Sequence, residues 1–326
     1  MRKTKPRNVA QFRAKRAKVF IKVVEIWTPS VDQQRLTLVD SLHDEQVNFQ
    51  QQGKERSFAY DEGLPGKAWA GARPLIISNI AYSFFRRKQA AVKAGLSSAI
   101  AVPVFAGDFL QAVVILLCGE DESHTGAIEL WGTHTRINSL LSLVDGYYGN
   151  LKSFEWISRQ IQFDKGSGLP GTVWQDFSPH IISDLGSASN FIRANIARES
   201  GVTTGLGIPF RNCLGEEYIL TFLSAMQTPI ARRFEIWQPD KTQQSLELLA
   251  SHEESAAITP PPSSISSIKR GEGLMGMVWM TGCPAISHDL NQDGLVTAAA
   301  GNKYRSALVF PVNDGGKLKA LVNIIF

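Results

Sequence analysis

One phrase of about eighteen residues occurs three times in this chain of 326 residues, and that repetition limits the possible folds more than any other feature. Each copy begins Gly-Leu-x-Gly, has a tryptophan three residues later, and continues through a proline into a short apolar run. The copies start at Gly63, Gly168 and Gly273, about 105 residues apart. A unit of that length is too long for a solenoid repeat and long enough to bury its own core. The repetition therefore predicts three domains in tandem.

The residues around the phrase repeat as well. Each unit opens with a short strand that ends in tryptophan, at Glu25–Trp27, Glu129–Trp131 and Glu235–Trp237. From that tryptophan to the second glycine of the phrase there are 39, 40 and 39 residues. The predicted domains are residues 20–119, 127–225 and 230–326, preceded by a basic arm at residues 1–19.

Within each phrase, the second glycine is predicted to open a short helix where another backbone comes close. The tryptophans one helical turn later, Trp69, Trp174 and Trp279, are predicted to be core anchors first and pocket walls second. The proline ends the helix, and the apolar run after it has the length of a strand. The polar residue that follows this run, Asn79, Asp184 or Asp289, suits a turn or the cap of the next element.

The final strand of each unit is apolar almost throughout, as in Leu110–Cys118, Tyr218–Ala225 and Leu318–Phe326. A strand with one face in water would alternate between apolar and polar residues. The connections between units are too short for a long helix that could cover the second face. The pattern therefore predicts tight packing between repeats, or pairing with a second copy of the chain.

The net charge of +4 is misleading, because eight of the 34 Lys and Arg residues lie in residues 1–19, which hold no acid. The rest of the chain has 26 basic and 30 acidic residues, so its folded part is not expected to bind nucleic acid. Residues 1–19 are expected to be a solvated arm with a short helix, and a nucleic-acid contact through them is the alternative. Three cysteines without CxxC spacing argue against a disulfide framework. With no membrane-spanning run or signal peptide, a cytoplasmic location is expected.

The joint pattern resembles the GAF family of sensory domains, three times over. It consists of the Glu-Ile-Trp strand, the Gly-Leu-Pro-Gly-x-x-Trp helix, the Pro-x-Ile-x-Asp/Asn strand and a strand through x-x-Pro-Val. The resemblance implies an α+β fold, with an antiparallel sheet, helices or loops on both faces, and a pocket between the sheet and the segment after the signature helix. The candidate pocket residues are Trp69, Ile77, Asn79, Phe84 and Phe85 in the first repeat, Trp174, Ile182, Asp184 and Phe191 in the second, and Trp279, Ile286 and Asp289 in the third.

No catalytic constellation is found. Asp289–Gly294 matches the first half of a calcium loop, but position 12 is Ala300 instead of a bidentate glutamate, so a polar turn is favoured. One cysteine per repeat leaves no resolving partner for the thiol chemistry of the family's methionine-sulfoxide reductases. No cofactor, metal or membrane contact is predicted.

These observations favour a non-enzymatic signalling or binding module. One repeat, expected to be the first, would bind an unknown small molecule and shift the packing of its neighbours, with output through a homo-oligomer or a partner signalling protein. The alternative is an assembly scaffold of degenerate repeats that bind no ligand. A sulfoxide-reductase-like enzyme is the third and least favoured hypothesis.

Overall fold

The structure is a computed structural model that describes residues 19–43, 49, 57–119, 125–133, 140–212, 214–254, 267–293 and 304–326. The predicted basic arm lies outside these residues, apart from Val19. The described residues form three units, which we call domains 1, 2 and 3. Each is built on one antiparallel sheet of six strands with short helices, an α+β architecture.

The elements follow the same order in each domain. Domain 1 comprises β1 (Ile21–Pro29), β2 (Arg35–His43), β3 (Ser57–Ala59), α1 (Gly63–Gly71), β4 (Leu75–Ile77), α2 (Lys88–Lys93), β5 (Leu96–Ala106) and β6 (Phe109–Gly119). Domain 2 comprises β7 (Gly126–Thr133), β8 (Leu141–Tyr147), α3 (Lys152–Ser158), β9 (Gln162–Phe163), α4 (Gly168–Asp176), β10 (His180–Ile182), α5 (Ala194–Ser200), β11 (Thr204–Arg211) and β12 (Glu217–Ser224). Domain 3 comprises β13 (Arg233–Pro239), β14 (Ser245–Glu253), β15 (Ile268–Lys269), α6 (Gly273–Thr281), β16 (Ala285–Ser287), β17 (Ala307–Asp314) and β18 (Lys317–Ile325).

The three sheets share one strand order. In domain 1 it is β3-β2-β1-β6-β5-β4, and the corresponding strands of domains 2 and 3 are arranged identically. The first strand of each sheet also has a register irregularity directly before its tryptophan, at Ile26/Trp27, Leu130/Trp131 and Ile236/Trp237. The sequence repeat is therefore a repeat of structure down to the pairing register.

The second glycine of each signature lies where another backbone crosses the helix. A Cβ atom on Gly66 would fall well inside the van der Waals radius of the Ala59 carbonyl oxygen, and Gly171 and Gly276 meet the equivalent carbonyl in their own domains. The carbonyl of each glycine accepts a hydrogen bond from the same turn, at 3.0, 2.7 and 2.8 Å. This is the close backbone approach that the sequence predicts.

Each sheet is buried on both faces, as its final strand predicts. On β6, Val113, Ile115 and Leu117 pack into the core of domain 1 beneath the signature helix. The alternating residues Val114 and Leu116 point the other way, into a core that they share with side chains from the other two sheets. We call this shared cluster the central core. Neighbouring repeats therefore supply the missing cover.

The domains close into a ring with approximate threefold symmetry. Strand β4 contacts β8, β10 contacts β14, and β16 returns to contact β2. Around the centre, the rings of Phe210 and Phe310 meet edge to face with centroids 5.9 Å apart. A contact at the surface joins domain 3 back to domain 1, because His288 Nε2 lies 2.9 Å from Asp40 Oδ1.

We expect Leu220→Ala to loosen all three domains, because Leu220 is buried in the central core. The matched control is Leu223→Ala, on the same strand but in the core of domain 2. Each change should cost about 2–5 kcal/mol of unfolding free energy. Hydrogen exchange should accelerate in strands of domains 1 and 3 for Leu220→Ala only. Equal exchange in the two variants would contradict the shared core.

Candidate functional site

A glutamate lies at the same place inside every domain. Glu25, Glu129 and Glu235 each stand two residues before the tryptophan of the first strand, and strand periodicity puts both side chains on the inward face. All three glutamates are fully buried. The tryptophan Nε1 donates to the carboxylate of its own domain at 3.0, 3.1 and 3.0 Å. A charge buried this deeply requires a compensating cation.

In domain 1 the cation is Arg87, which comes from the segment after the signature helix. Its guanidinium donates through Nη1 and Nη2 to the two oxygens of Glu25, at 2.7 and 2.6 Å. Aromatic rings surround it, with centroids 4.7 Å away for Phe49, 5.5 Å for Phe85 and 5.6 Å for Trp27. We call this arrangement the guanidinium cage.

Domain 2 repeats the guanidinium cage with Arg193. Its Nη2 donates to Glu129 Oε2 at 2.9 Å and its Nη1 bonds the other carboxylate oxygen. The nearest ring is Phe154, at 4.5 Å, and that of Phe191 lies at 5.2 Å. The hydroxyl of Ser158 also donates to the carboxylate, at 2.8 Å.

The ionisation of Glu129 reflects this environment. Burial acts to raise the pKa of the carboxyl, but the Arg193 charge and the hydrogen bonds from Arg193, Ser158 and Tyr148 outweigh it, so the pKa lies below its ordinary value. The Tyr148 hydroxyl, which donates to Glu129 at 3.0 Å, has its pKa raised by burial and by that negative charge. Glu129 is therefore held as a carboxylate and Tyr148 as a neutral donor.

Domain 3 compensates its glutamate differently. Arg233 lies two residues before Glu235 on the same strand, where domains 1 and 2 have Val23 and Ala127, and its Nε donates to the carboxylate at 2.8 Å. Asn323 Nδ2 donates to the other oxygen at 3.3 Å. Within the part of the chain that the structure describes, Arg233 Nη2 and Asn323 Oδ1 of this network have no hydrogen-bond partner, and the same holds for the Nε atoms of Arg87 and Arg193 in domains 1 and 2. Among the described residues, domain 3 thus has no guanidinium cage.

The candidate aromatic residues of the pocket divide into buried and peripheral positions. Phe85 and Phe191 are buried walls of the two guanidinium cages. Trp174 and Trp279 are buried in their domain cores, whereas Trp69 is half-buried against the ring of Tyr60. The signature tryptophans are less deeply buried than the fully enclosed strand tryptophans.

The remaining candidates lie apart from the buried carboxylates. Ile77 packs in the core of domain 1 and Ile182 against the core of domain 2, but Ile286 belongs to the central core, on the opposite face of its sheet. Phe84 is 51% exposed. Three further candidates, Asn79, Asp184 and Asp289, cap the turn that follows them. Their side-chain oxygens accept hydrogen bonds from backbone N–H groups two or three residues later, at 3.0, 3.2 and 3.0 Å.

Sequence reasoning missed the buried ion pairs. A glutamate two residues before a buried tryptophan, in all three repeats, was the available signal, because the two side chains must share a face. The second signal was a Phe-x-Arg sequence that ends at Arg87 in repeat one and at Arg193 in repeat two.

The cysteines and the candidate calcium loop give no support for a reactive centre. Burial raises the pKa of the Cys118 thiol, and partial burial raises that of Cys283, so both favour the protonated form. Cys213 and residues 294–300 lie outside the described residues. Within the described part of the chain, no group of three or more His, Cys, Asp or Glu side chains is placed to hold a metal ion.

Comparison with known proteins identifies similar solved structures only. No protein-family model and no curated protein sequence matches the chain. The GAF domain of nlh2 from A. aeolicus is 21% identical over 31% of this chain and 59% of its own, with a TM-score of 0.25. The GAF domain of an Acinetobacter phosphoenolpyruvate-protein phosphotransferase is 20% identical over 29% of this chain and 55% of its own, with a TM-score of 0.24. A free methionine-R-sulfoxide reductase from Neisseria meningitidis is 15% identical over 30% of this chain and 52% of its own, with a TM-score of 0.24.

Each of these three matches covers about a third of this chain, the length of one repeat, and spans little more than half of the matched structure. The three units share one strand order and carry the signature helix under the sheet, so they are three copies of one fold, which is similar to that of the solved GAF domains. In the ranges that the structure describes, none of the helices has the length and apolarity needed to cross a bilayer.

We expect Arg87→Met to destabilise the protein by about 3–5 kcal/mol, because it leaves the buried Glu25 carboxylate without a cation. Arg86→Met is the matched control, since the Arg86 side chain is 56% exposed and pairs with the partly exposed carboxylate of Glu62; it should cost less than about 1 kcal/mol. The double variant Glu25→Gln/Arg87→Met should recover much of the loss. Urea unfolding measures all three, and equal effects of the two arginine changes would refute the assignment.

The lowered pKa of Glu129 predicts a loss of stability in acid. The stabilising contribution of its ionised form is complete above the unfolded-state value, near 4.5, and is lost as the pH falls through the lower folded-state value. The difference in unfolding free energy between the natural chain and Glu129→Gln/Arg193→Met should therefore shrink below about pH 4.5. Urea unfolding across the acid range tests this. A difference that grows on acidification would have the wrong sign.

Proposed function

We propose that the chain is a non-enzymatic GAF-like interaction module in which domains 1 and 2 serve as scaffold. One observation carries this proposal. In the space between the sheet and the segment after the signature helix, where the resemblance implies a ligand pocket, domains 1 and 2 hold their own guanidinium groups, those of Arg87 and Arg193.

A ligand could enter either space only by displacing an arginine. The Arg87 side chain is 1% exposed and its partner Glu25 is fully buried. Expelling the guanidinium leaves that carboxylate uncompensated, at a cost of about 3–5 kcal/mol before any ligand contact is made. A ligand shifts a conformational equilibrium only by the difference between its binding free energies for the two conformations. In domain 1, the cost of expelling the Arg87 guanidinium would consume most of that difference. The interior of domain 1 therefore fits a structural role better than the sensing role expected for the first repeat.

Ligand sensing by domain 3 is the second candidate function. Among the described residues, its buried side chains include a donor and an acceptor without partners, Arg233 Nη2 and Asn323 Oδ1. The arginines of domains 1 and 2 also leave a donor unpaired, Nε in each case, so the unpaired amide oxygen is what distinguishes this ion-pair network. Buried polar groups are normally hydrogen-bonded, and unpaired ones call for an explanation. A small molecule with one acceptor and one donor would satisfy both atoms.

The non-enzymatic character is supported by the state of the reactive groups. The protonated forms of Cys118 and Cys283 are favoured, which argues against the reductase hypothesis. The buried carboxylates are occupied by arginine and tryptophan donors. We expect the module to act through a partner protein or a second copy of the chain, and the closed ring supplies a rigid platform for that contact.

Native mass spectrometry of the purified full chain tests the proposal. We expect a mass equal to that of the sequence, or to a whole multiple of it, with no added small molecule, because the interiors of domains 1 and 2 are filled. A stoichiometric small molecule that is lost in Asn323→Leu would support sensing by domain 3. A bound molecule that is retained in Asn323→Leu and lost in Arg87→Met would contradict the scaffold role of domain 1.

A further inference from the structure

The end of strand β14 in domain 3 lies against domain 2. His252, near the end of this strand, places its Nε2 2.9 Å from the hydroxyl oxygen of Thr204, at the start of β11. Glu254 follows directly after the strand, and its backbone N–H donates to the Arg232 carbonyl at 2.8 Å. We call the contact formed by Thr204 and Ser224 of domain 2 with His252 and Glu254 of domain 3 the 2–3 junction.

The carboxyl group of Glu254 is buried in this junction. Neither of its oxygens is exposed to solvent, and within the described part of the chain neither has a hydrogen-bond partner. Burial raises the pKa of the Glu254 carboxyl above its ordinary value, and the hydroxyls of Ser224 and Thr204 oppose that rise only in part. Both hydroxyls belong to fully buried residues of domain 2. The junction therefore favours the neutral form of this carboxyl.

No cation in the described residues pairs with Glu254, in contrast to the buried glutamates of the first strands. Arg233 donates to Glu235 and lies 3.8 Å from the neighbouring Glu253. Burial and the Arg233 charge lower the pKa of His252, so its imidazole is also favoured in the neutral form. Residues 255–266, which follow Glu254 and lie outside the described part of the chain, contain no acidic or basic residue.

The remaining titratable groups near the end of β14 act on Glu253. Burial and the Glu253 charge raise the pKa of the Tyr304 hydroxyl, and the charges of Arg233 and Arg232 oppose this rise. From domain 2, strands β11 and β12 present the hydroxyls of Thr204 and Ser224, which do not titrate. Glu254 is therefore the group whose charge changes inside the 2–3 junction as the pH rises from acid.

The junction between domains 1 and 2 has no such carboxyl. Strand pairing makes Leu42, Tyr147 and His252 equivalent, because their partners across the sheet each lie three residues before a strand tryptophan. The residue two positions later is Asp44 in domain 1, Gly149 in domain 2 and Glu254 in domain 3. Asp44 lies outside the described residues, and Gly149 has no side chain. The contact between domains 1 and 2, where the ring of Tyr147 stacks on Phe20, is therefore an internal control.

We propose that the 2–3 junction is a pH-sensitive joint, closed while the Glu254 carboxyl is protonated and loosened when it ionises. The protonated carboxyl is a hydrogen-bond donor, and the hydroxyl oxygens of Ser224 and Thr204 are acceptors beside it. The ionised carboxyl is a buried charge without a cation, and opening of the junction returns it to water. The joint is a property of the contact between two domains, so it does not depend on the proposed function.

The direction of the pH effect follows from the raised pKa. In the open junction Glu254 titrates near its ordinary value of 4.5, and in the closed junction it titrates at a higher pH. Its stabilisation of the closed junction is complete below pH 4.5 and is lost as the pH rises through the closed-junction value. One proton is released, so the opening constant rises by at most about tenfold per pH unit. His252 acts in the opposite direction, because its lowered pKa removes stability as the pH falls below 6.5.

Hydrogen exchange of the full chain from about pH 5 to about pH 8 tests the proposal. Glu254→Gln has the shape of the protonated acid and cannot ionise, so it keeps the junction closed. Comparing it with the natural chain at equal pH cancels both the base catalysis of exchange and the contribution of His252. We expect exchange in β10 and β14 to become faster in the natural chain than in Glu254→Gln as the pH rises, by up to about tenfold per pH unit. Strands β4 and β8, which meet between domains 1 and 2, should show no such difference.

Glu247→Gln is the matched control, because it removes the same charge from an exposed position on β14. Its exchange should equal that of the natural chain at every pH. The natural chain alone gives a second readout, since exchange in β10 and β14 should accelerate with pH more than exchange in β4 and β8.

Three results would overturn the proposal. Slower exchange in the natural chain than in Glu254→Gln would show that a cation pairs with the carboxylate. Equal exchange in the two chains at every pH would show that the ionisation does not load the junction. A difference of the same size at both junctions would show a general loss of stability instead of a joint.

Discussion

Neither face of any of the three sheets can be left in water, and the architecture follows from that constraint. A sheet with two apolar faces needs two covers, and the signature helix with its following segment supplies only one. The ring supplies the second, because each sheet turns its outer face toward the other two around the central core. The short connections then suffice, since consecutive domains need only turn the chain from one sheet to the next.

The buried glutamate of each first strand imposes a second constraint inside the domains. Domains 1 and 2 meet it with an arginine from a distant segment, and domain 3 meets it with Arg233 on the same strand. Both solutions place a guanidinium on the carboxylate, but Arg87 and Arg193 engage both of its oxygens, whereas Arg233 donates to one of them. In domains 1 and 2 the arginine comes from the segment after the signature helix, whereas in domain 3 it lies on the strand of the glutamate itself. The same buried charge is therefore compensated from two different places in the chain.

Local features of the sequence predicted the fold well. The glycine at Gly66 and its counterparts, the strand tryptophans and the continuous apolar run of β6 each depend on neighbours within a few residues or on strand periodicity. The ion pairs could not be found in this way, because Glu25 and Arg87 are 62 residues apart in sequence and their meeting is a product of the folded chain. Ile286 shows another limit. Ile77 is the third residue of its short strand, whereas Ile286 is the second residue of the equivalent strand in domain 3. Because side chains alternate along a strand, that difference of one residue places Ile286 on the opposite face of the sheet, in the central core.

Covalent linkage gives this ring a freedom that a trimer of identical subunits lacks. In a symmetric homotrimer, one substitution changes every interface at once, so a tyrosine that filled one contact would fill all three. Here one such position, on the second strand of each sheet, is Leu42 in domain 1, Tyr147 in domain 2 and His252 in domain 3. Each junction can therefore specialise while the other two hold the assembly together. Asymmetry of this kind, distributed around a nearly symmetric frame, lets a single chain keep a rigid core and still change one interface at a time.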